Sequence, residues 1–453
     1  MTAPMVSVYI TNHNYGRFIK QSIESVLNQK FKNFELIIID DGSTDNSREV
    51  IERYKRRHNV KIVYQQNLGL NISNNIALKL AGGKYIMRLD ADDYMDENAL
   101  LVMVDKIGED AQIAMVFPDY YVVDEKGTVL AHEMRHDFKK TTLMDQPAHG
   151  ACSLIRKSAL LEVGGYYEDF TCQDGYELWI KFVKKFKIAN TNLPLFYYRK
   201  HNRNLSRNQC RLLKTRHEII KKGVRHLDIK EKNHIGIIPI RGHEEDAPAA
   251  LKKLVDKTLL EITVDSALKT ENLSNVILTT SDERIIDYAK SVYRKGILIN
   301  KRPERLSMFN QDLAKTIDYI LKKYNTQLGQ VDTITLLNFE YPLREAIYID
   351  KAINTLYLFE VDSVLSVRKK EENFYRHDGG GLVSFVTNRP LRLEREYVYE
   401  ETGGIHTADY RAYKKYKSII CGKIGHIIID DVSAIRVTSE TNFMVAEFLK
   451  RKE

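Results

Sequence analysis

ELIIIDDGSTD at residues 35–45 and KYIMRLDADD at residues 84–93 decide the fold. Each is an apolar run that ends in carboxylates. Runs of about four to eight aliphatic and aromatic residues bounded by polar turns read as buried strands. Residues 6–10 and 61–64 read the same way. Between these runs Ile19, Ile23, Val26 and Leu27 recur at helical spacing, as do Val50, Ile51 and Tyr54. Strands alternating with helices predict a parallel α/β sheet over residues 1–115. In such sheets ligands bind beyond the carboxyl ends of the strands, where both acidic clusters stand.

The first cluster, Asp40-Asp41-Gly42-Ser43-Thr44-Asp45, has two readings. Ser43, Thr44 or Asp45 suits a helix N-cap, and the Asp pair suits a ligand. Asp90, Asp92 and Asp93 are harder to accommodate without one. Three carboxylates within four residues repel one another unless a cation or hydrogen-bond donors compensate. A hard divalent ion, Mg²⁺ or Mn²⁺, takes one or two carboxylates and completes its shell with phosphate oxygens. The DxD pattern therefore points to a metal-dependent diphosphate site.

A series of motifs in order carries a resemblance: VSVYITNHNYGRFIKQSIESVLNQ (6–29), FELIIIDDGSTDNS (34–47), NLGLNISNNIALKLAGGKYIMRLDADD (67–93), HGACSLIRKSALLEVGGY (149–166), QDGYELWIKF (173–182) and YYRKHNRNLSR (197–207). Over residues 5–205 the chain resembles the family-2 glycosyltransferases, which have a GT-A fold. The resemblance implies a nucleotide-diphosphate sugar donor held by Thr11, Asn14, Asp41, Asp90, Asp92 and Arg199, with Asp41 on the base and Asp90 on the ribose. It implies metal binding by Asp92, with Asp93 and His201 beside it, and Asp174 as catalytic base. Lys200 and Arg203 would join Arg199 in neutralising phosphate. Gly150 and His149 would line the acceptor pocket, where small residues allow close approach; His149 either contacts substrate or packs. Where the family often has an aromatic stands His13, and where it commonly has Arg stands Asn74.

The implied roles make chemical sense. A carboxylate at Asp41 accepts the ring N–H of uracil, thymine or guanine, whereas cytosine has none, so a UDP-, dTDP- or GDP-sugar is expected, UDP first. A base at Asp174 within about 2.6–3.2 Å of the acceptor hydroxyl takes its proton. One in-line displacement then inverts the anomeric centre.

Residues 221–232 are polar and basic and read as a linker between a domain over 1–220 and a second over 233–453. Strands are expected at 235–240, 276–279, 333–337 and 363–367, with helices near 249–267, 283–292 and 347–358. IGIIPIRG (235–242), NVILTTSDERIIDYAK (275–290), ITLLNFEYPLREAIYIDKAI (334–353), DSVLSVRK (362–369) and SETNFMVAEFL (439–449) resemble the cytidylyltransferases that make CMP-sialic acid. The expected architecture is thus α/β throughout, a GT-A fold followed by a Rossmann-like nucleotidyltransferase-type domain. That family has a cationic loop where this chain reads His243-Glu244-Glu245-Asp246-Ala247-Pro248, and two Asp residues where Thr438 and Asn442 stand. Carboxylates beside a triphosphate turn attraction into repulsion, and neutral oxygens bind a divalent ion poorly. Asp430 and Asp431 either substitute or form a strand-end turn. An inactive relative is expected, dimerising as its family does; a bifunctional enzyme that also makes a CMP-sugar and a non-catalytic scaffold are the alternatives.

The 453 residues suffice for two or three domains of about 100–200 residues each. At 43% hydrophobic and 29% charged the composition is that of a globular protein. Four dispersed cysteines form no C-x-x-C pair, so buried reduced thiols are expected rather than a zinc ribbon or disulfides. The net charge of +8 favours anionic partners: a sugar nucleotide, or an anionic membrane surface near a glycan or lipid-linked acceptor. Without a basic-and-aromatic platform, no nucleic acid is expected. No run approaches 18 apolar residues, and MTAPMVSVYITNHN lacks a signal peptide's pattern. A cytoplasmic location is expected, with the inner face of the membrane open to it.

Overall fold

The computed structural model describes residues 3–134, 149–202, 209–242, 246–308, 311–370, 372, 374–384 and 398–452. Arg203 and residues 243–245 of the acidic loop lie outside them. The chain forms two units, residues 1–216 with 373–396 and residues 217–372 with 397–453. Residues 221–232, expected as a linker, continue a helix, Gln209–Gly223, into two short 3₁₀ turns.

The first unit is built on strands β1 (Val6–Asn12), β2 (Phe34–Asp41), β3 (Val60–Gln65), β4 (Tyr85–Asp90), β5 (Tyr94–Met95), β6 (Ile113–Val123), β7 (Val129–Glu133), β8 (Leu154–Arg156) and β9 (Lys187–Arg199). Its helices are α1 (Ile19–Leu27), α2 (Ser47–Glu52), α3 (Leu70–Leu80), α4 (Ala99–Gly108), α5 (Lys157–Glu162) and α6 (Asp174–Val183). The sheet order is β3-β2-β1-β4-β8-β6-β9-β5, with β7 beside β6. β1 to β4 are parallel and β8 runs against its neighbours.

Helices on both faces explain why β1 and β2 are buried at every residue. Val8, Ile10, Leu36, Ile38, Met87 and Leu89 enter one core with Ile19, Ile23 and Val26 of α1. Tyr9, Ile37, Ile39 and Ile86 enter the other with Leu178, Trp179 and Phe182 of α6. The strand period of two, continued to the strand ends, carries Thr11, Asp41, Arg88 and Asp90 to the α6 face.

In the second unit, β10 (His234–Pro239), β13 (Leu273–Thr280), β14 (Leu298–Lys301), β15 (Thr333–Leu337), β16 (Ser363–Lys370), β19 (Val398–Asp409) and β20 (Ile424–Ile428) form a sheet ordered β14-β13-β10-β15-β19-β16-β20. β11 (Lys253–Leu254) pairs with β12 (Lys257–Thr258); β17 (Tyr375–His377) pairs with β18 (Leu382–Ser384) in the stretch that groups with the first unit. Counting only the strands common to both patterns, each unit's sheet reads 3-2-1-4-6-5-7 with the sixth antiparallel to its neighbours. Ile235, Ile237, Ile334 and Leu336 pack with Ile317, Ile320 and Tyr413 in its core.

The helix expected near 249–267 is two elements. A six-residue helix, Asp246–Leu251, gives way to the β11–β12 turn, and the next helix, Leu259–Leu268, starts at a capping box in which Thr258 and Glu261 exchange side-chain and backbone hydrogen bonds. That box fixes the start at Leu259 by satisfying backbone N–H groups a longer helix would not expose. Three of the four thiols are buried as expected, but Cys210 is exposed. Among the described residues no helix is long and apolar enough to cross a membrane.

Candidate functional site

Thr11, next to last in β1, is in register with Asp90 of β4 and Ile39 of β2. Asp41, at the end of β2, is buried, and its carboxylate is largely satisfied by protein. Oδ1 accepts from Gln65 Nε2 at 2.7 Å and from the Leu68 N–H at 2.8 Å; Oδ2 accepts from the Gly69 N–H at 2.9 Å. A carboxylate offers about four acceptor positions, so one remains for a ligand N–H. Gly42 permits this arrangement: its φ is +73°, and a Cβ there would stand 2.7 Å from the Asn67 nitrogen.

Asn14 holds the loop after β1 to the loop after β2. With φ at +63° it donates its N–H to Ser43 Oγ at 2.9 Å and accepts from the Thr44 N–H at 2.8 Å through Oδ1. His13 is exposed and Nδ1 donates to the Asp41 carbonyl at 2.9 Å. Asp45 is structural, accepting from the Gly16 and Ser47 N–H groups, each at 2.9 Å. The first acidic cluster is therefore divided between a turn and a ligand edge.

Asp174 is the first residue of α6, where the helix dipole favours an anion. Its Oδ2 pairs with Arg88 Nη1, and Arg88 Nε lies 3.0 Å from Asp90 Oδ1. Arg88 is 4% exposed. Sequence reasoning passed over it, although a cation inside an apolar strand run is itself a signal. Burial works against the guanidinium charge, but Asp174 and then Asp90 push its pKa up. Asp90 is pushed up to about 6, first by burial, with Asp92 and Asp174 adding to it against the pull of Arg88.

α3 supports this arrangement from below. Asn71 Nδ2 donates to the Tyr167 carbonyl at 2.7 Å and Asn75 Nδ2 to the Tyr166 carbonyl at 2.9 Å, which pins the segment leading into α6. Tyr166 Oη then meets Tyr9 Oη at 3.2 Å beside Arg88. Asn74 is wholly buried and its Oδ1 has no hydrogen-bond partner. Glu177, one turn beyond Asp174, accepts from the Tyr167 N–H at 2.8 Å and pairs with Lys181 at 2.5 Å; burial raises its pKa.

Gly150 lies against the acid–guanidinium pair: a Cβ there would stand 2.6 Å from Asp174 Oδ2 and 2.8 Å from Arg88 Nη2. His149 packs, with its ring 5.4 Å from Tyr120, 5.2 Å from Phe196 and 4.9 Å from Tyr198.

His201 is buried, its Nε2 2.8 Å from Asp92 Oδ2 and its ring stacked 5.4 Å from Phe18. Asp93 accepts from the Arg199 N–H at 2.8 Å while its Oδ2 has no hydrogen-bond partner; burial and then Asp92 raise its pKa. The Arg199 guanidinium donates to the carbonyls of Asp92 and Glu125, each at 2.8 Å, and to Gln21 Oε1 at 2.7 Å. It braces the acidic loop against α1 and a turn. Among the described residues no three His, Cys, Asp or Glu side chains converge as a metal cage. One carboxylate, one imidazole and an unpartnered carboxylate oxygen nearby nonetheless fit a hard ion that takes its remaining oxygens from phosphate.

The two acidic strand ends, the cation between them and the α6 carboxylate come together at one edge of a GT-A-like α/β sheet. Residues 7–164 match the family description "Glycosyl transferase family 2". An uncharacterised glycosyltransferase of Methanocaldococcus jannaschii is 30% identical over 218 residues, covering 45% of this chain and 73% of that one. The Escherichia coli UDP-Glc:α-D-GlcNAc-diphosphoundecaprenol β-1,3-glucosyltransferase is 29% identical over 228 residues, 48% of this chain and 86% of that one. The chondroitin synthase of Escherichia coli is 26% identical over 239 residues, 52% of this chain, and this chain spans only 32% of that synthase. The chain belongs to glycosyl transferase family 2.

Proposed function

We propose that the first unit is an inverting, metal-dependent glycosyltransferase that moves a sugar from a UDP-type donor to a hydroxyl of a glycan or lipid-linked glycan. The observation that supports this reading is the Asp174–Arg88–Asp90 chain, with Asp174 and Arg88 buried and Asp90 half-buried, which brings two carboxylates to one guanidinium on one face of the sheet. The name of the Escherichia coli glucosyltransferase, which pairs UDP-Glc with a diphosphoundecaprenol-linked sugar, supports the donor and acceptor classes.

The acceptor oxygen bonds to the anomeric carbon as its proton passes to Asp174 Oδ1, the oxygen not engaged by Arg88 Nη1. The bond from that carbon to the β-phosphate oxygen breaks, and its electron pair leaves with the nucleoside diphosphate. Asp41 offers its last acceptor position to the base N–H and Asp90 takes the ribose. Asp92 and His201 would hold Mn²⁺ or Mg²⁺, which when bound offsets charge on the diphosphate. For the second unit we propose a degenerate nucleotidyltransferase-type fold with no catalysis of its own; homodimerisation through it and peripheral membrane contact belong to the same reading.

Calorimetric titration of UDP, dTDP, GDP and CTP with and without Mn²⁺, on wild type and on Asp92→Asn, tests the reading. Metal-dependent UDP binding that Asp92→Asn abolishes is expected. CTP binding indifferent to Asp92→Asn would overturn it and make the second unit the working site.

A further inference from the structure

We propose that Arg88 is a positioning residue that couples the acceptor base to the donor site, holding Asp174 and Asp90 on one guanidinium. The inference rests on the glycosyltransferase reading of the same site. Arg88 stands inside β4, paired with β1 on one side and β8 on the other, so its backbone is fixed by the sheet. Its carbonyl also accepts the Cys152 N–H at 2.7 Å, which draws the Gly150 segment over the side chain. Nη1 contacts Asp174, Nε lies 3.0 Å from Asp90, and only a glycine at 150 leaves space for the pair, since a Cβ there would stand 2.6 Å from Asp174 Oδ2.

A planar, permanently charged guanidinium can bridge two carboxylates at a set separation, which a lysine ammonium cannot. Among the described residues that interact electrostatically with Asp174 are also Asp90 of β4, Tyr9 of β1, Tyr166 of the segment before α6 and Glu177 of α6 itself. All are acids or neutral phenols. Without Arg88 the Asp174 carboxylate loses the guanidinium that fixes its orientation, and its free oxygen is no longer held towards the acceptor. Ribose capture at Asp90 and proton capture at Asp174 thus depend on one cation, and a change at either acid is felt by the other through it.

The test measures kcat and donor KM from about pH 5 to 9 for wild type, Arg88→Met, Arg88→Lys and Asp174→Asn, with thermal melting as a check of folding. Arg88→Met is expected to lower kcat about 100-fold near neutrality and to raise donor KM as well, because both carboxylates lose their common anchor. Arg88→Lys, which keeps the charge without the planar fork, is expected to recover only part of each. Wild-type kcat and donor KM in a folded Arg88→Met protein overturn the proposal. Should Arg88→Met fail to fold, wild-type kcat and KM in Arg88→Lys overturn it equally. Full activity in Asp174→Asn would instead sink the glycosyltransferase reading, so the two failures are distinguishable.

Discussion

Gly150→Ala is the sharpest perturbation the site offers, because a single methyl addresses the base and its cation together. The new carbon would lie 2.6 Å from Asp174 Oδ2, 2.8 Å from Arg88 Nη2 and 3.3 Å from the Gly175 nitrogen. Non-bonded contacts settle at about 3.5 Å, so the pair must retreat by nearly 1 Å. Both atoms end flexible side chains, but they are buried and paired with each other, so neither yields without moving the other. A displacement of about 1 Å at reacting groups costs on the order of 100-fold in rate. Stability should change little: Gly150 is not among the residues with positive φ, and alanine reduces unfolded-state entropy by an amount worth about 0.4–1 kcal/mol, against the cost of shifting two side-chain ends. The assay is sugar transfer from a UDP-sugar at saturating donor, with melting temperature alongside. A kcat within a few-fold of wild type at unchanged melting temperature would refute the placement of the base against Gly150.

Two further outcomes follow from buried charges. Arg199→Ala removes hydrogen bonds to the Asp92 and Glu125 carbonyls and to Gln21 and should destabilise by roughly 3 kcal/mol; a urea midpoint unchanged from wild type would show that the brace is dispensable. His217 is pushed down to about 4 by burial, with Lys351 and Lys221 adding to it. The unfolded chain therefore binds this proton at about 6.5 while the folded chain does not. The stability it contributes is fully present above about pH 6.5 and is lost as pH falls towards 4. His217→Leu should flatten that decline in the urea midpoint; an identical slope would exclude His217 as its source.

The strands at 6–10, 35–39 and 84–89 were legible because helices on both faces demand continuous apolar runs, while that at 61–64 is a half-buried edge strand with a shorter run, and each observed strand contains nearly all of its run. β5 and β8 were not: two or three residues carry no period. β19 was also hidden, since Gly403 and Gly404 interrupt it with φ of +76° and +60° where it bends past Ile429 and Tyr341. The carboxylates of the site could be read because charge at the end of an apolar run is conspicuous. What they touch could not. Asp41 is engaged by Gln65, Leu68 and Gly69, contacts that depend on how β3 and its following loop return to β2. His201, in the basic stretch Arg199-Lys200-His201, is buried, with the rings of Phe18 and Tyr15 from a distant segment against it.

The shared strand order of the two sheets allows their ends to be compared place by place. β15 occupies the place of β4, and β13 that of β2. Where β4 runs into Asp90, Asp92 and Asp93, β15 runs into Asn338 and Glu340, and Glu340 pairs with Arg436 at 2.6 Å and accepts from Asn338 Nδ2 at 3.2 Å. Where β2 ends in Asp41, the residue beyond β13 with a carboxylate is Asp282, which caps the helix Glu283–Val292 and pairs with Arg284 at 2.6 Å. Asp430, after β20, accepts from Tyr348 Oη at 2.6 Å and from the Val432 and Ser433 N–H groups at 2.9 Å, at a strand-end turn. Each of these acids in the second unit is already matched by a cation or by donors. In the first unit Asp93 retains an unpartnered buried oxygen, and Asp90 and Asp93 are both driven towards protonation by their surroundings. Uncompensated acid is costly to fold around, and of two like-ordered sheets the chain places it at the strand edge of the first while matching the corresponding acids of the second, which is the asymmetry expected if the proposed donor site lies in the first unit alone.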